Sequence, residues 1–136
     1  MTKILIIDDE ALIRSLLKKS LKDFGDCIVT ENGKDGLSVF ENAVYNEKGF
    51  DIIFLDIMME GKNGLEVLKE IRSREKERKI PRDKGVKIIM ITGNAEAAIV
   101  KTCITEGCDK FIVKPFVLKT LSTTLKDLGF KPIRYF

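Results

Sequence analysis

Ile4-Leu5-Ile6-Ile7-Asp8-Asp9-Glu10 is a continuous apolar run that breaks directly into three acids, and its reading decides the fold. Large apolar residues without alternation are what a strand covered on both faces requires, and such strands belong to parallel sheets. Four more apolar, β-branched-rich runs follow at Cys27-Ile28-Val29, Ile52-Ile53-Phe54-Leu55, Ile88-Ile89-Met90-Ile91 and Phe111-Ile112-Val113. Between them the apolar residues take helical spacing. Ile13, Leu16, Leu17, Leu21 and Phe24 form one stripe, and Leu37, Phe40 and Val44 the next. Leu65, Leu68 and Ile71 form a third, Ile99, Val100, Cys103 and Ile104 a fourth, and Leu118, Leu121, Leu125 and Leu128 a fifth. Gly25, Gly107 and Gly129 each follow a stripe where a helix would stop. Strand–helix alternation repeated five times predicts an α/β fold. Its core is a doubly wound, five-stranded parallel sheet with right-handed crossovers and helices on both faces. The Cys27 run is short and leads into polar Thr30-Glu31-Asn32-Gly33, so it belongs at an edge.

The 136 residues suit one domain, long enough to bury roughly two-thirds of the unfolded surface without a disulfide or structural metal. Hydrophobic residues at 44% and charged residues at 33%, with a net charge of +3, exclude an intrinsically disordered chain. No apolar run approaches the ~20 residues that cross a bilayer. The start MTKILIIDDE turns acidic too soon for a secretory signal, so a cytoplasmic protein with no membrane association is expected. The chain has no histidine, which removes histidine acid–base catalysis, histidine metal ligands and any phosphohistidine of its own. Cys27, Cys103 and Cys108 are odd in number, lack C-x-x-C spacing and read as small buried hydrophobes. The irregular segment 72–87 reads as an extended helix end and a solvated loop. Its basic residues are interrupted by Glu75, Glu77 and Asp83 with no aromatics between them, so no direct nucleic-acid contact is expected. Residues 1–129 are read as the domain, and 130–136 as a tail that folds back on the last helix or meets a partner.

In a doubly wound sheet of order 2-1-3-4-5, ligands sit at the carboxyl ends of the strands, where strands 1 and 3 meet. Strand 1 delivers Asp8-Asp9-Glu10 there, strand 3 Asp56, strand 4 Thr92 and strand 5 Lys114-Pro115. Taken singly, each could be a helix cap, a turn residue or a solvated lysine. Together they are hard to leave without a ligand, because two carboxylates in a partly shielded site repel by roughly 4 kcal/mol at 4 Å. The ligands on offer are all oxygens, which favours a hard divalent cation, and a shallow open site that keeps waters favours Mg²⁺. Three carboxylates, one lysine and one Mg²⁺ then sum to zero charge. Such a site accepts a phosphoryl group, with a carboxylate as nucleophile and the cations neutralising the transferred oxygens. Asp56 stands alone on its loop, whereas adjacent Asp8 and Asp9 suit metal binding.

With these residues in place, the sequence resembles the receiver domains of two-component response regulators, in particular the stand-alone chemotaxis and phosphorelay regulators. The motifs are Ile6-Ile7-Asp8-Asp9-Glu10, Leu55-Asp56-Ile57-Met58-Met59 with Gly64, Ile91-Thr92-Gly93 and Phe111-Ile112-Val113-Lys114-Pro115-Phe116, and they span most of the chain. The resemblance implies the 2-1-3-4-5 order and Asp56 as phosphoacceptor, with Mg²⁺ on Asp8, Asp9, Asp56 and the backbone carbonyl of Met58. It further implies Lys114 as the lysine paired to the phosphoryl group, Thr92 as a switch hydroxyl, Phe111 as a switch aromatic and a cis Lys114–Pro115 bond. The implied partners are a sensor histidine kinase and a downstream target protein, with a monomer and a phosphorylation-dependent dimer both open. The implied chemistry is confined to self-phosphorylation and self-dephosphorylation.

Three positions depart from the family pattern: Glu60 stands where proline is common, Met58 is apolar where some relatives are polar, and Phe111 lacks a tyrosine hydroxyl. Met58 and Asn94 are expected to set the phosphoryl lifetime. The alternative within the family is a phosphorelay intermediate that passes the group to a second histidine protein. A haloacid-dehalogenase-type phosphatase wants a second acid two residues after its nucleophile, where Met58 stands. A flavodoxin-like cofactor binder wants a phosphate-cradling loop where Asp8-Asp9-Glu10 would repel the phosphate.

Overall fold

The computed structural model describes residues 1–133; residues 134–136 of the expected tail lie outside the described residues. Strands and helices alternate as β1 (Thr2–Ile7), α1 (Ala11–Leu21), β2 (Gly25–Thr30), α2 (Gly33–Tyr45), β3 (Ile52–Asp56), α3 (Gly64–Glu77), β4 (Lys87–Thr92), α4 (Ala97–Thr105), β5 (Lys110–Val113) and α5 (Leu118–Asp127). All four strand pairings are parallel and the sheet order is β2-β1-β3-β4-β5, with the Cys27 strand at an edge as expected. Ile7 pairs with Leu55, Asp56 with Ile91 and Thr92 with Val113. That register brings the carboxyl ends of the central strands to one edge of the sheet.

The continuous apolar runs are explained by a core on each face of the sheet. Leu5, Ile7, Ile53, Leu55, Ile88 and Met90 pack under α2, α3 and α4, whereas Ile4, Ile6, Ile52, Phe54, Ile89 and Ile91 pack under α1 and α5. Successive strand residues point to opposite faces, so each face needs its own apolar set. Each such side chain, fully buried, contributes about 1.5–3 kcal/mol.

Three stripe residues differ from expectation: Leu16, Ile104 and Leu118 are exposed, although each follows the apolar spacing of its helix. Gly107 and Gly129 do end helices, at φ of 103° and 92°. Gly25 does not, because α1 already stops at Leu21 and Gly25 opens β2. Its lack of a side chain serves a close strand approach, since a Cβ there would meet the Thr2 carbonyl oxygen at 2.1 Å. Gly64 plays the same part beside the acidic edge, where a Cβ would lie 2.1 Å from the Asp56 carbonyl oxygen. With hydrogen in that place, α3 starts tightly against the end of β3, and the Gly64 N–H donates to the Ile57 carbonyl at 3.0 Å.

The segment 72–87 needs correction, because it is not simply a helix end and a solvated loop. A 3-10 turn at Arg82–Lys84 interrupts it, Glu75 and Val86 are buried, and Arg72 is drawn into a network reaching Gly107 and Asp109. In the tail, Phe130 packs against the α1/α5 side of the core, and the Ile133 N–H donates to the Asp23 carbonyl. Among the described residues, no helix is long and apolar enough to cross a membrane.

Candidate functional site

The backbone holds Asp8 and Asp56 in matching geometry. Asp8 Oδ1 accepts the Glu10 N–H at 2.8 Å, and Asp56 Oδ1 accepts the Met58 N–H at 3.3 Å, each from two residues further on. Asp8 is 1% exposed and Asp56 2% exposed. The second oxygen of each carboxylate, Oδ2, is buried without a hydrogen-bond partner. Lys114 Nζ sits between them, 3.1 Å from Asp8 Oδ2 and 3.5 Å from Asp56 Oδ2. The ammonium lies near both anions without making a well-directed bond to either, and its 2.8 Å bond goes to Glu10 Oε1.

The remaining expected residues flank this trio. Lys114 is fixed from β4, its N–H donating to the Thr92 carbonyl at 2.7 Å, and the Lys114–Pro115 bond is cis. Thr92 is fully buried, and its Oγ1 accepts the Asn94 N–H at 3.2 Å. Asp9 is exposed at the rim, and Phe111 is half-buried in β5 against the apolar layer under α4, away from the acids. An open cavity of about 500 Å³ gives access, lined in part by Glu10, Asp56, Met58, Asn94 and Lys114. Glu10 is the residue whose part the sequence did not reveal. It read as the third acid of a motif, but it lies closer to the Lys114 ammonium than Asp8 or Asp56 does.

Burial pushes the Asp56 carboxyl up to about 7, and the Asp8 charge adds to that, against the opposing pull of Lys114 and the Met58 N–H. Burial also works against the charge on Lys114, but its bonding to Glu10 and the nearby carboxylates outweigh it and raise its pKa. The Asp56 shift has a signed consequence for stability. An unfolded Asp titrates near 3.9, so between that pH and about 7 the folded protein keeps a proton that the unfolded chain releases. The stabilisation is complete below the unfolded value and is lost as pH rises through the folded one. Without divalent metal, the melting temperature should therefore fall from pH 5 to pH 8. Asp56→Asn should flatten that profile and melt higher than the parent at pH 8, as thermal denaturation across the range will show.

Carboxylate oxygens of Asp8, Asp9, Glu10 and Asp56 lie within 4.8 Å of one another, so this edge has the donors to hold a metal ion. Two features fit a hard divalent cation: the ligands are all oxygens, and two buried Oδ2 atoms have no hydrogen bond. A carboxylate that lines an open cavity beside an ammonium is also equipped, once deprotonated, to attack phosphorus.

Comparison with known proteins agrees with this geometry. The family model described as the response regulator receiver domain matches residues 4–126. The chemotaxis protein CheY of Listeria monocytogenes is 34% identical over 130 residues, which cover 93% of this chain and 100% of that protein. The transcriptional regulatory protein ResD of Bacillus subtilis is 37% identical over 128 residues, covering 93% of this chain but 48% of ResD. The chain thus spans about half the length of that regulator. The solved structure of the chemotaxis protein CheY4 of Vibrio cholerae superposes with a TM-score of 0.79 at 26% identity, covering 94% of this chain and 98% of that one.

Proposed function

The chain belongs to the response regulator receiver domain family of two-component systems, and on that premise we propose that it is a phosphoacceptor switch charged on Asp56 by a sensor histidine kinase. The observation that carries this reading is the pair of buried oxygens, Asp8 Oδ2 and Asp56 Oδ2, that lack a hydrogen bond and both lie within ion-pair distance of Lys114 Nζ. Of the two, Asp56 lines the open cavity and is therefore the one a phosphodonor can reach.

Asp56 Oδ2 attacks phosphorus, forming an O–P bond. The donor's P–N bond breaks, and its electron pair returns to the imidazole nitrogen, which takes up a proton. Lys114 neutralises the transferred oxygens. Mg²⁺, held by Asp8, Asp9, Asp56 and the Met58 carbonyl, would supply further positive charge against the same oxygens. Thr92 Oγ1 already accepts a bond from Asn94, so its O–H is the free half of the hydroxyl and donates to the new anion. That contact exists only in the charged state and biases a two-state surface formed by α4, β5 and α5, with Phe111 as the aromatic that follows Thr92. The output is altered binding of a downstream target protein by a cytoplasmic regulator. Incubation with acetyl phosphate and Mg²⁺ should place one base-labile phosphoryl mass on the peptide carrying Asp56. No adduct, or an adduct on another residue, overturns the assignment.

A further inference from the structure

Beside the acidic cavity, the β3–α3 loop and α4 enclose a second hollow of about 570 Å³, within the size range of ligand sites. Its lining is largely apolar, with Ile57, Met59 and Leu65 from the loop side and Ile99 and Cys103 from α4. Two charges stand on that lining, Asp9 and Glu60, and both are negative. Met58 is 61% exposed and lines both this groove and the acidic cavity, so it forms a wall common to the two. Glu60 and Met58 are two of the positions at which the sequence departs from the family pattern, and they meet here.

We propose that this groove is a docking site for a protein partner that presents one bulky apolar side chain flanked by Lys or Arg. The apolar lining favours a side chain of Phe or Leu size through removal of its surface from water. Without metal the two carboxylates, and with Mg²⁺ on Asp9 the Glu60 carboxylate, attract a flanking cation and repel an acidic segment, which sets the charge of the partner rather than most of its affinity. An occupant touches Met58, which also lines the acidic cavity, so docking alters entry to the acceptor pocket.

The probe is the peptide N-acetyl-Arg-Phe-Arg amide, titrated into the ¹⁵N-labelled chain at low salt without metal or phosphodonor. Amide shifts should centre on residues 57–60, 65 and 98–103. N-acetyl-Gln-Phe-Gln amide should bind about five-fold more weakly because it lacks the charge. N-acetyl-Arg-Ala-Arg amide should bind about ten-fold more weakly because it lacks the apolar anchor. Glu60→Gln should narrow the gap between the Arg and Gln peptides, and Ala98→Phe, which fills the groove from α4, should remove the shifts. Equal binding of the charged and neutral peptides, shifts centred elsewhere, or no shifts at millimolar peptide would overturn the proposal. Because neither metal nor phosphodonor is present, that failure leaves the phosphoacceptor reading intact, and a missing Asp56 adduct leaves this one intact.

Discussion

Asp56→Asn should eliminate the acyl phosphate, lowering adduct formation from acetyl phosphate by on the order of a thousand-fold or more. The change is close to isosteric and spares the fold. The amide oxygen can still accept the Met58 N–H, and no cavity opens in the apolar layers on either face of the sheet. What is lost is the anionic Oδ2, the atom that makes the new bond. Asp8 is the instructive comparison, because it has the same turn geometry, an equally unpartnered Oδ2 and a shorter approach to Lys114. It does not line the open cavity, so an incoming phosphorus atom meets Asp56 and not Asp8. Mass spectrometry of the intact protein and its peptides reads the result. An undiminished adduct in Asp56→Asn would transfer the nucleophile's role to another residue.

The convergence of Asp8, Asp56, Thr92 and Lys114 was legible because it follows from two regularities. Unbroken apolar runs imply strands buried on both faces, and parallel strands deliver their carboxyl ends to one edge. Exposure along the helices was less legible. Periodicity shows that Leu16, Ile104 and Leu118 share a side with core residues, but not how far the finite sheet reaches beneath that side. Contacts between distant positions left no local signal at all. Glu10 and Lys114 are 104 residues apart, and neither a helical nor a strand period links them. The same holds for Arg72 and its partners, which turn a run of mixed charge into an anchored connection. The acidic-rimmed groove was equally hidden, since its two sides come from separate βα units.

Arg72→Met should cost about 3 kcal/mol of folding stability, roughly a 10 °C fall in melting temperature for a domain of this size. The Arg72 side chain is 11% exposed, and its guanidinium uses all three nitrogens. Nε donates to the Gly107 carbonyl at 2.9 Å, Nη1 to Glu75 at 2.6 Å and Nη2 to Asp109 at 2.9 Å. Both carboxylates are bound in turn to backbone around the start of β4, Glu75 accepting the Val86 N–H at 2.7 Å and Asp109 the Ile88 N–H at 2.8 Å. Arg72 thus ties α3, the entry to β4 and the end of α4 into one unit. Methionine fills a comparable volume but leaves the buried Glu75 uncompensated, while Arg82, at 3.2 Å, still pairs with Asp109. The exposed pair Lys110–Asp127, 3.8 Å apart, should contribute no more than about 1 kcal/mol by comparison. Arg72→Lys should recover less than half of the loss, because one ammonium cannot span three acceptors in fixed directions. Adding Glu75→Gln to Arg72→Met should restore part of it by removing the stranded charge. Urea denaturation of the three variants measures these terms, and a loss below about 1 kcal/mol in Arg72→Met would show the network to be no stronger than a surface ion pair.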